Sequence, residues 1–408
     1  MSYDKEMANA LMRTPDNMIT LSIIRLDHSI AEIKTMSPGI DIETLSREIF
    51  ERLTCRPASK DSATSSWNSF ARRNKYSFGL QQKLVKSILR YRKEEDRWTA
   101  LSSVLLKSLA FHRHINPNMS ASIDILDQKL PVVELPRTKY NRPFLPQLVS
   151  EETYTRITGD QVEESQDSAM NLSHQYPYIC MVQKQVDDHS SAQLQNHLIG
   201  CDLINFELPC FSPTVKDFLK SFVGCFTTPE WKAINNDSQS TPHNDDKLLK
   251  EFYLRWSMKE AYTKALGLGM NIDFDSFETR LIGFDTDSSD NGGLWNSHDG
   301  IWNSIISNMQ DIDCVDQIGR QFSCVGQVSR TRGSKREGEY WVFTFIPLGE
   351  EKTVDKSQPP NAGCICICEG PWNDEADATT ASKSKDRIIL ENMTLTELIQ
   401  SHGMEITG

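Results

Sequence analysis

The sequence predicts a mixed α+β protein, on three observations. Short runs rich in β-branched and aromatic residues recur along the chain, at 18–26, 178–182, 198–204, 340–347 and 362–368. Between them lie stretches of helical periodicity. The clearest is 253–267, where Leu254, Met258, Ala261 and Ala265 fall at i, i+4, i+7 and i+11 and form one apolar stripe. The third observation is length, since 408 residues suffice for two domains or one large elaborated one.

Composition narrows the function classes. A formal net charge of −12 argues against a general nucleic-acid binder. No apolar run is long enough to span a bilayer, and residues 1–17 are polar and mixed, without a charged-then-apolar signal pattern. The ten cysteines lack paired metal spacing. Cys364, Cys366 and Cys368 alternate, which places them on one face of a strand. Reduced, buried thiols in a cytoplasmic protein with no membrane partner are the expectation.

Taken in order, 18–26 is the first strand. Gly39-Ile40-Asp41-Ile42-Glu43 follows Ser37-Pro38 and leads into Thr44-Leu45-Ser46-Arg47-Glu48, so it reads as a helix start with Asp41 as cap. Residues 72–93 hold Arg72, Arg73, Lys75, Lys83, Lys86, Arg90, Arg92 and Lys93 and no acid, which is either an anion site or a solvated basic helix. An apolar helix comes next at 98–110, carrying Leu101, Val104, Leu105 and Leu109 and ending near His112 and His114; two histidines at i, i+2 share a helix face too poorly for zinc. Residues 150–170 are an acidic, polar insertion. Asn171-Leu172-Ser173-His174-Gln175 then leads into the strand at 178–182, and the polar connector at 187–196 sets the expected boundary between a half at 1–195 and a half at 196–408.

The strand at 198–204 carries a single carboxylate, Asp202. Buried without a partner it would be costly, and a metal ion is one economical partner. Thr228, Pro229 and Glu230 have the order of a helix cap, a first helical residue and a first-turn acid. Residues 235–247 read as a loop. On the helix at 253–267, Glu260 and Lys264 are four apart: a solvated pair worth about 0.3–0.5 kcal/mol, or a metal ligand beside a phosphate clamp. Gly267 and Gly269 end that helix. Residues 285–300 and 350–362 are further insertions, and the former fails as an EF-hand because Asp290 stands where a glycine is required. Residues 388–398 give a closing strand and helix.

Three of these pieces, Asn171-Leu172-Ser173-His174, Ile199-Gly200-Cys201-Asp202 and Trp256-Ser257-Met258-Lys259-Glu260-Ala261-Tyr262-Thr263-Lys264, stand in the order N-[IVL]-S-H, [VI]-G-x-D, [FW]-[SCAT]-x-K-E-[AS]-x-x-K. In that order they resemble the 4'-phosphopantetheinyl transferase superfamily. The likeness is to its long monomeric type, which activates surfactin-like nonribosomal peptide synthetases, polyketide synthases and, in eukaryotes, the aminoadipate reductase of lysine metabolism. Residues 39–43 match the bacterial form of the family's metal motif letter for letter, but no S-H precedes them and no W-S-x-K-E follows at a reasonable distance.

The resemblance implies two pseudo-symmetric halves, each a small antiparallel sheet packed on a long helix, with inserted loops and coenzyme A in the cleft between. It implies Mg2+ held by Asp202, Glu260 and Gln175; the glutamine after S-H stands in for the second acid of bacterial D-I-E, here Ile204. Lys264 would neutralise a phosphate. Ser173 and His174 would bind phosphate oxygens. Lys83, Lys86 and Arg97, around a segment like Y-x-K-x-D-x-x-R, would hold the 3'-phosphate. Arg142, in Tyr140-Asn141-Arg142-Pro143, stands in for the lysine of Y-G-K-P along the nucleotide. The base would be Glu230, of the F-x-x-x-E-[YW] segment, or Glu260. Implied partners are apo carrier proteins or domains of fatty acid, polyketide or nonribosomal peptide synthases, or of aminoadipate reductase. Two other readings compete: a non-catalytic coenzyme A-binding or carrier-docking protein, and a metal-dependent phosphohydrolase, which leaves the basic segment without a role.

Overall fold

The protein was analysed as a computed structural model. It describes residues 18–54, 78–115, 170–184, 198–236, 244–282, 321–330, 338–348, 363–384 and 387–404, with scattered positions in 130–145 and 302–306 and Ile406. Arg142 and the three insertions lie outside the described residues, apart from Met170 at the end of the first.

Two sheets, each carrying one 22-residue helix, make the frame. The first sheet has four strands in the order β2 (Met170–Gln175), β3 (Tyr178–Lys184), β1 (Ile19–Arg25), β9 (Ile388–Asn392). β1 pairs antiparallel with β3 and parallel with β9. Strand alternation divides its side chains: Ile24, Ile179 and Met181 face helices α1 (Leu26–Met36), α2 (Ile42–Thr54), α3 (Phe78–Leu89) and α4 (Glu94–Ile115), while Ile19, Leu21, Ile23, Cys180 and Val182 face the second sheet.

The second sheet is antiparallel, in the order β4 (Leu198–Asn205), β8 (Gly363–Trp372), β7 (Glu339–Leu348), β6 (Phe322–Arg330), β5 (Phe277–Ile282). Its inner residues Ile199, Cys201, Leu203, Ile365 and Ile367 meet the first sheet. Cys364, Cys366 and Cys368 line the outer face against α7 (Asn244–Ala265), as their alternation requires. Helix α5 (Val215–Lys220) and helix α6 (Thr228–Asn236) pack beside α7 through an aromatic cluster of Phe218, Phe226 and Phe252.

Several boundaries differ from expectation. α7 begins nine residues before Tyr253, because Asn244, Asp245 and Asp246 supply polar first-turn groups that a loop would also favour. The cap of α6 is Thr227, not Thr228: its amide donates to Glu230 Oε2 at 2.9 Å and the Glu230 amide returns to Thr227 Oγ1 at 3.4 Å. Ile42 does open a helix, with Asp41 accepting from the Thr44 amide at 2.9 Å and the Thr44 hydroxyl at 2.7 Å, and this bonding to Thr44 lowers the Asp41 pKa. The C-terminal elements pack on the first sheet and its helices. β9 and α8 (Leu395–Ser401) cross back to the first sheet, and Leu395, Leu398 and Ile399 are buried in its helical core.

Candidate active site

The site forms where α7 lies over β4. Gly200 makes the approach possible: a Cβ there would sit 2.1 Å from Ala261 O and 2.4 Å from Ala265 N. With the helix this close, Lys264 reaches down to the strand. Its Nζ donates to Asp202 Oδ1 at 2.7 Å and to Ser173 Oγ at 2.9 Å, and the Ser173 hydroxyl donates to the same Asp202 oxygen at 3.2 Å. Three residues from β2, β4 and α7 thus form one closed triangle. Burial works against the Lys264 ammonium, but Asp202 beside it, with Cys201 and Glu260 adding, outweighs that loss and raises its pKa.

Glu260 behaves differently from the solvated i, i+4 partner one would first draw. Lys264 turns to Asp202, and the Glu260 carboxylate has neither a hydrogen bond nor an ion pair among the described residues. Burial pushes its pKa up, Asp202 adds to that, and Lys264 opposes it. It lines a cavity of about 480 Å³ together with Ser173, His174, Gln175, Asp202 and Lys264. The rest of its lining includes an aromatic group, Phe218, Phe222, Phe252, Tyr253 and Trp256. The cavity therefore joins charged and aromatic lining.

Gln175 and His174 stand at the rim on β2. Gln175 Oε1 accepts from the Asn205 amide at 3.0 Å, so one lone pair is taken. The His174 imidazole is held below its ordinary pKa by desolvation and then by Lys264 and Lys107, against Asp96 and Asp202. Lys107, on α4, escaped sequence reasoning, because it sits inside an apolar helix with nothing to mark it.

Other expected residues lie elsewhere. Lys83 and Lys86 are exposed on α3 and do not line the cavity. Arg97 spends its Nε on the Tyr91 carbonyl at 2.7 Å, capping the turn before α4, and is also absent from the cavity wall. Glu230 is not brought to the site. It is buried, and its oxygens accept from Thr227 N, Thr227 Oγ1, Thr279 N, Thr279 Oγ1 and the fully buried Lys259 ammonium at 2.9 Å. A buried carboxylate with five donors that does not line the cavity anchors α6 to β5 and α7. The signal was in the sequence: Thr227-x-x-Glu230 is a capping box.

Among the described residues no group of three or more His, Cys, Asp or Glu side chains has metal-binding spacing, and no helix is long and apolar enough to cross a membrane. The acidic ligands available in the cavity are the pair Asp202 and Glu260.

Residues 199–299, which contain Asp202, Glu260 and Lys264, match the family model described as the 4'-phosphopantetheinyl transferase superfamily. Over that segment, about a quarter of its length, the chain is similar to this superfamily. Two curated relatives agree. A protein of Thraustochytrium sp. named phosphopantetheinyl transferase is 25% identical over 205 residues, covering 49% of this chain and 57% of its own. The L-aminoadipate-semialdehyde dehydrogenase-phosphopantetheinyl transferase of Xenopus laevis is 27% identical over 144 residues, covering 35% of this chain and 38% of its own. The matches thus span about half the length of these relatives or less. The fold is α+β with two small sheets, as the sequence predicts. Ser173, His174 and Gln175 precede the matched segment, and the folded chain places them in one cavity with its Asp202 and Lys264.

Proposed function

We propose that this protein transfers the 4'-phosphopantetheine group of coenzyme A to a serine hydroxyl of an apo carrier protein, releasing adenosine 3',5'-bisphosphate. The observation that carries the reading is the unpartnered Glu260 carboxylate, half-buried beside the Lys264–Asp202–Ser173 triangle in a cavity with aromatic lining. A carboxylate partly withdrawn from water without a donor among the described residues is costly, and a divalent cation offsets that cost. Asp202 and Glu260, with the Gln175 amide oxygen at the rim, are hard oxygen donors and fit magnesium. When bound, the ion would neutralise charge on the diphosphate and on the leaving group.

The remaining work falls to side chains. Lys264 has a third proton left for a phosphate oxygen once Asp202 and Ser173 take two. His174, with Lys107 nearby, provides the cationic side for the 3'-phosphate; the phosphate dianion would restore the proton that desolvation disfavours. The aromatic lining suits the uncharged pantetheine arm and keeps water from the reacting phosphate. Glu260, its pKa raised by burial, is suited to take the serine proton directly or through a water. Carrier proteins or domains of fatty acid, polyketide or nonribosomal peptide synthases, or of aminoadipate reductase, are the partners in this proposal. We place a monomer in the cytoplasm, a reducing compartment that suits the eight free cysteines among the described residues.

The test is to incubate the protein with coenzyme A, magnesium and a panel of apo carriers and to weigh each carrier intact. A carrier gaining one phosphopantetheine, with the gain lost in Glu260→Gln, supports the proposal. No gain on any carrier sinks it. One observation favours a second reading, a non-catalytic coenzyme A binder: Asp202 is already engaged by Lys264. In that case coenzyme A binds, Glu260→Gln binds it equally well, and no carrier changes mass.

A further inference from the structure

The two sheets abut along β2 and β4, each the outer strand of its own sheet, and share no backbone ladder. An outer strand buried against another element leaves amides that need acceptors. Here β2 supplies them from side chains. Cys201 N donates to Asn171 Oδ1 at 3.1 Å, Leu203 N to Ser173 Oγ at 3.2 Å, and Asn205 N to Gln175 Oε1 at 3.0 Å. Donors and acceptors both step by two residues, so one pleat faces the other, with a constant separation of 30 residues in sequence. The Cys201 thiol adds a contact to the same Asn171 oxygen at 3.5 Å.

The rungs are not equivalent. Ser173 is also part of the triangle with Lys264 and Asp202, and Gln175 lines the cavity. Asn171 does neither; it is buried and absent from the cavity wall. Its side chain acts only across the seam. Asp202 follows Cys201 directly on β4, and His174 lies three residues after Asn171 on β2. A slide of one strand along the other breaks all three rungs together and changes the distance between Asp202 and His174.

We propose that Asn171 is a positioning residue for the transfer. It fixes the height of β4 against β2, and so the span between the carboxylate that serves the diphosphate and the imidazole that serves the 3'-phosphate. The catalytic consequence rests on the proposed function; the seam itself does not.

The experiment uses the full-length protein and two variants. Asn171→Leu keeps the size and removes the acceptor. Asn171→Asp keeps an acceptor in either protonation state. Residue-resolved amide exchange reads the seam directly: the Cys201 amide should exchange roughly tenfold faster in Asn171→Leu and at close to the wild-type rate in Asn171→Asp. Kinetics read the positioning. In Asn171→Leu the KM advantage of coenzyme A over dephospho-coenzyme A should shrink and kcat should fall, while KM for the carrier stays unchanged; Asn171→Asp should restore both. Asn171→Ala gives the same exchange reading should leucine disrupt folding. Equal Cys201 protection in all variants overturns the proposal. So does an Asn171→Leu enzyme with wild-type kcat and wild-type discrimination of the 3'-phosphate. A wild-type protein that transfers nothing refutes the function and with it the catalytic role, while amide exchange still decides whether the asparagine holds the seam.

Discussion

Replacing Lys264 by Met tests the centre of the site most directly. In the native protein its ammonium sits 2.7 Å from Asp202 Oδ1, with side-chain exposures of 26% and 9%. Methionine keeps most of the length and the apolar stem. It leaves Asp202 with the Ser173 hydroxyl at 3.2 Å as its remaining side-chain donor. Removing one partner of a buried ion pair costs about 3–5 kcal/mol; with the lysine a quarter exposed, we expect about 2–3 kcal/mol. Adding Asp202→Asn removes the stranded charge while keeping an acceptor for Ser173. The double variant should therefore recover stability relative to Lys264→Met, with a coupling of about 1–2 kcal/mol across the cycle. Urea unfolding at neutral pH without divalent ions measures all four corners. Millimolar magnesium should then stabilise Lys264→Met more than the wild type, since the freed carboxylate faces an uncontested ion. Single-variant costs that add to within about 0.5 kcal/mol, or a Lys264→Met protein as stable as the wild type, would refute the triangle as the organising contact.

Further outcomes follow from neighbouring contacts. Gly200→Ala drives a methyl into the backbone of α7, 2.1 Å from Ala261 O, and should cost about 3 kcal/mol or prevent folding; unfolding within about 0.5 kcal/mol of wild type would mean that the helix does not sit on β4 as described. Glu230→Gln leaves the Lys259 ammonium buried without its carboxylate, so stability should fall by about 3 kcal/mol while kcat below the melting range holds within a few-fold; a hundredfold loss of kcat at unchanged stability would return Glu230 to the chemistry. Burial pushes the His402 imidazole down to about 4, with the Leu398 carbonyl opposing and His112 adding. A depressed histidine contributes stability that is full above its unfolded pKa near 6.5 and lost as pH falls toward 4, about 3 kcal/mol in all. His402→Gln should flatten that part of the stability–pH curve, and identical acid profiles for the two proteins would show that the ring is not held neutral.

What the sequence disclosed and what it hid divide along a physical line. Asp202, Glu260 and Lys264 stood out because the three motifs that hold them or precede them occur in the order of the resemblance; the strand acid and the i, i+4 pair alone left a bland reading open. Where Lys264 points was not legible: its partners lie 62 and 91 residues away, and the helix itself offers a nearer carboxylate four residues back. The same blindness covers the rest of α7. Glu251, Arg255 and Lys259 give the helix a charged look, yet all three are buried, in a Glu251–Arg255 pair at 2.6 Å and a Lys259–Glu230 pair at 2.9 Å. The Glu251–Arg255 pair is a local i, i+4 contact whose burial the sequence does not record, and Lys259 finds its carboxylate 29 residues away on α6. β9 shows this at the level of the fold, since its parallel pairing with β1 joins residues 369 positions apart, such as Ile19 and Ile388.

The consequence for the site is specific. The matched segment holds the acids and the lysine, while Ser173, which accepts from Lys264 and donates to Asp202, and the rim residues His174 and Gln175 come from the other sheet. Local motifs supply the groups to which the proposed function assigns the chemistry. Their relative placement depends on the side chains spanning β2 and β4, so a change at Asn171 should alter the chemistry without touching any group that performs it.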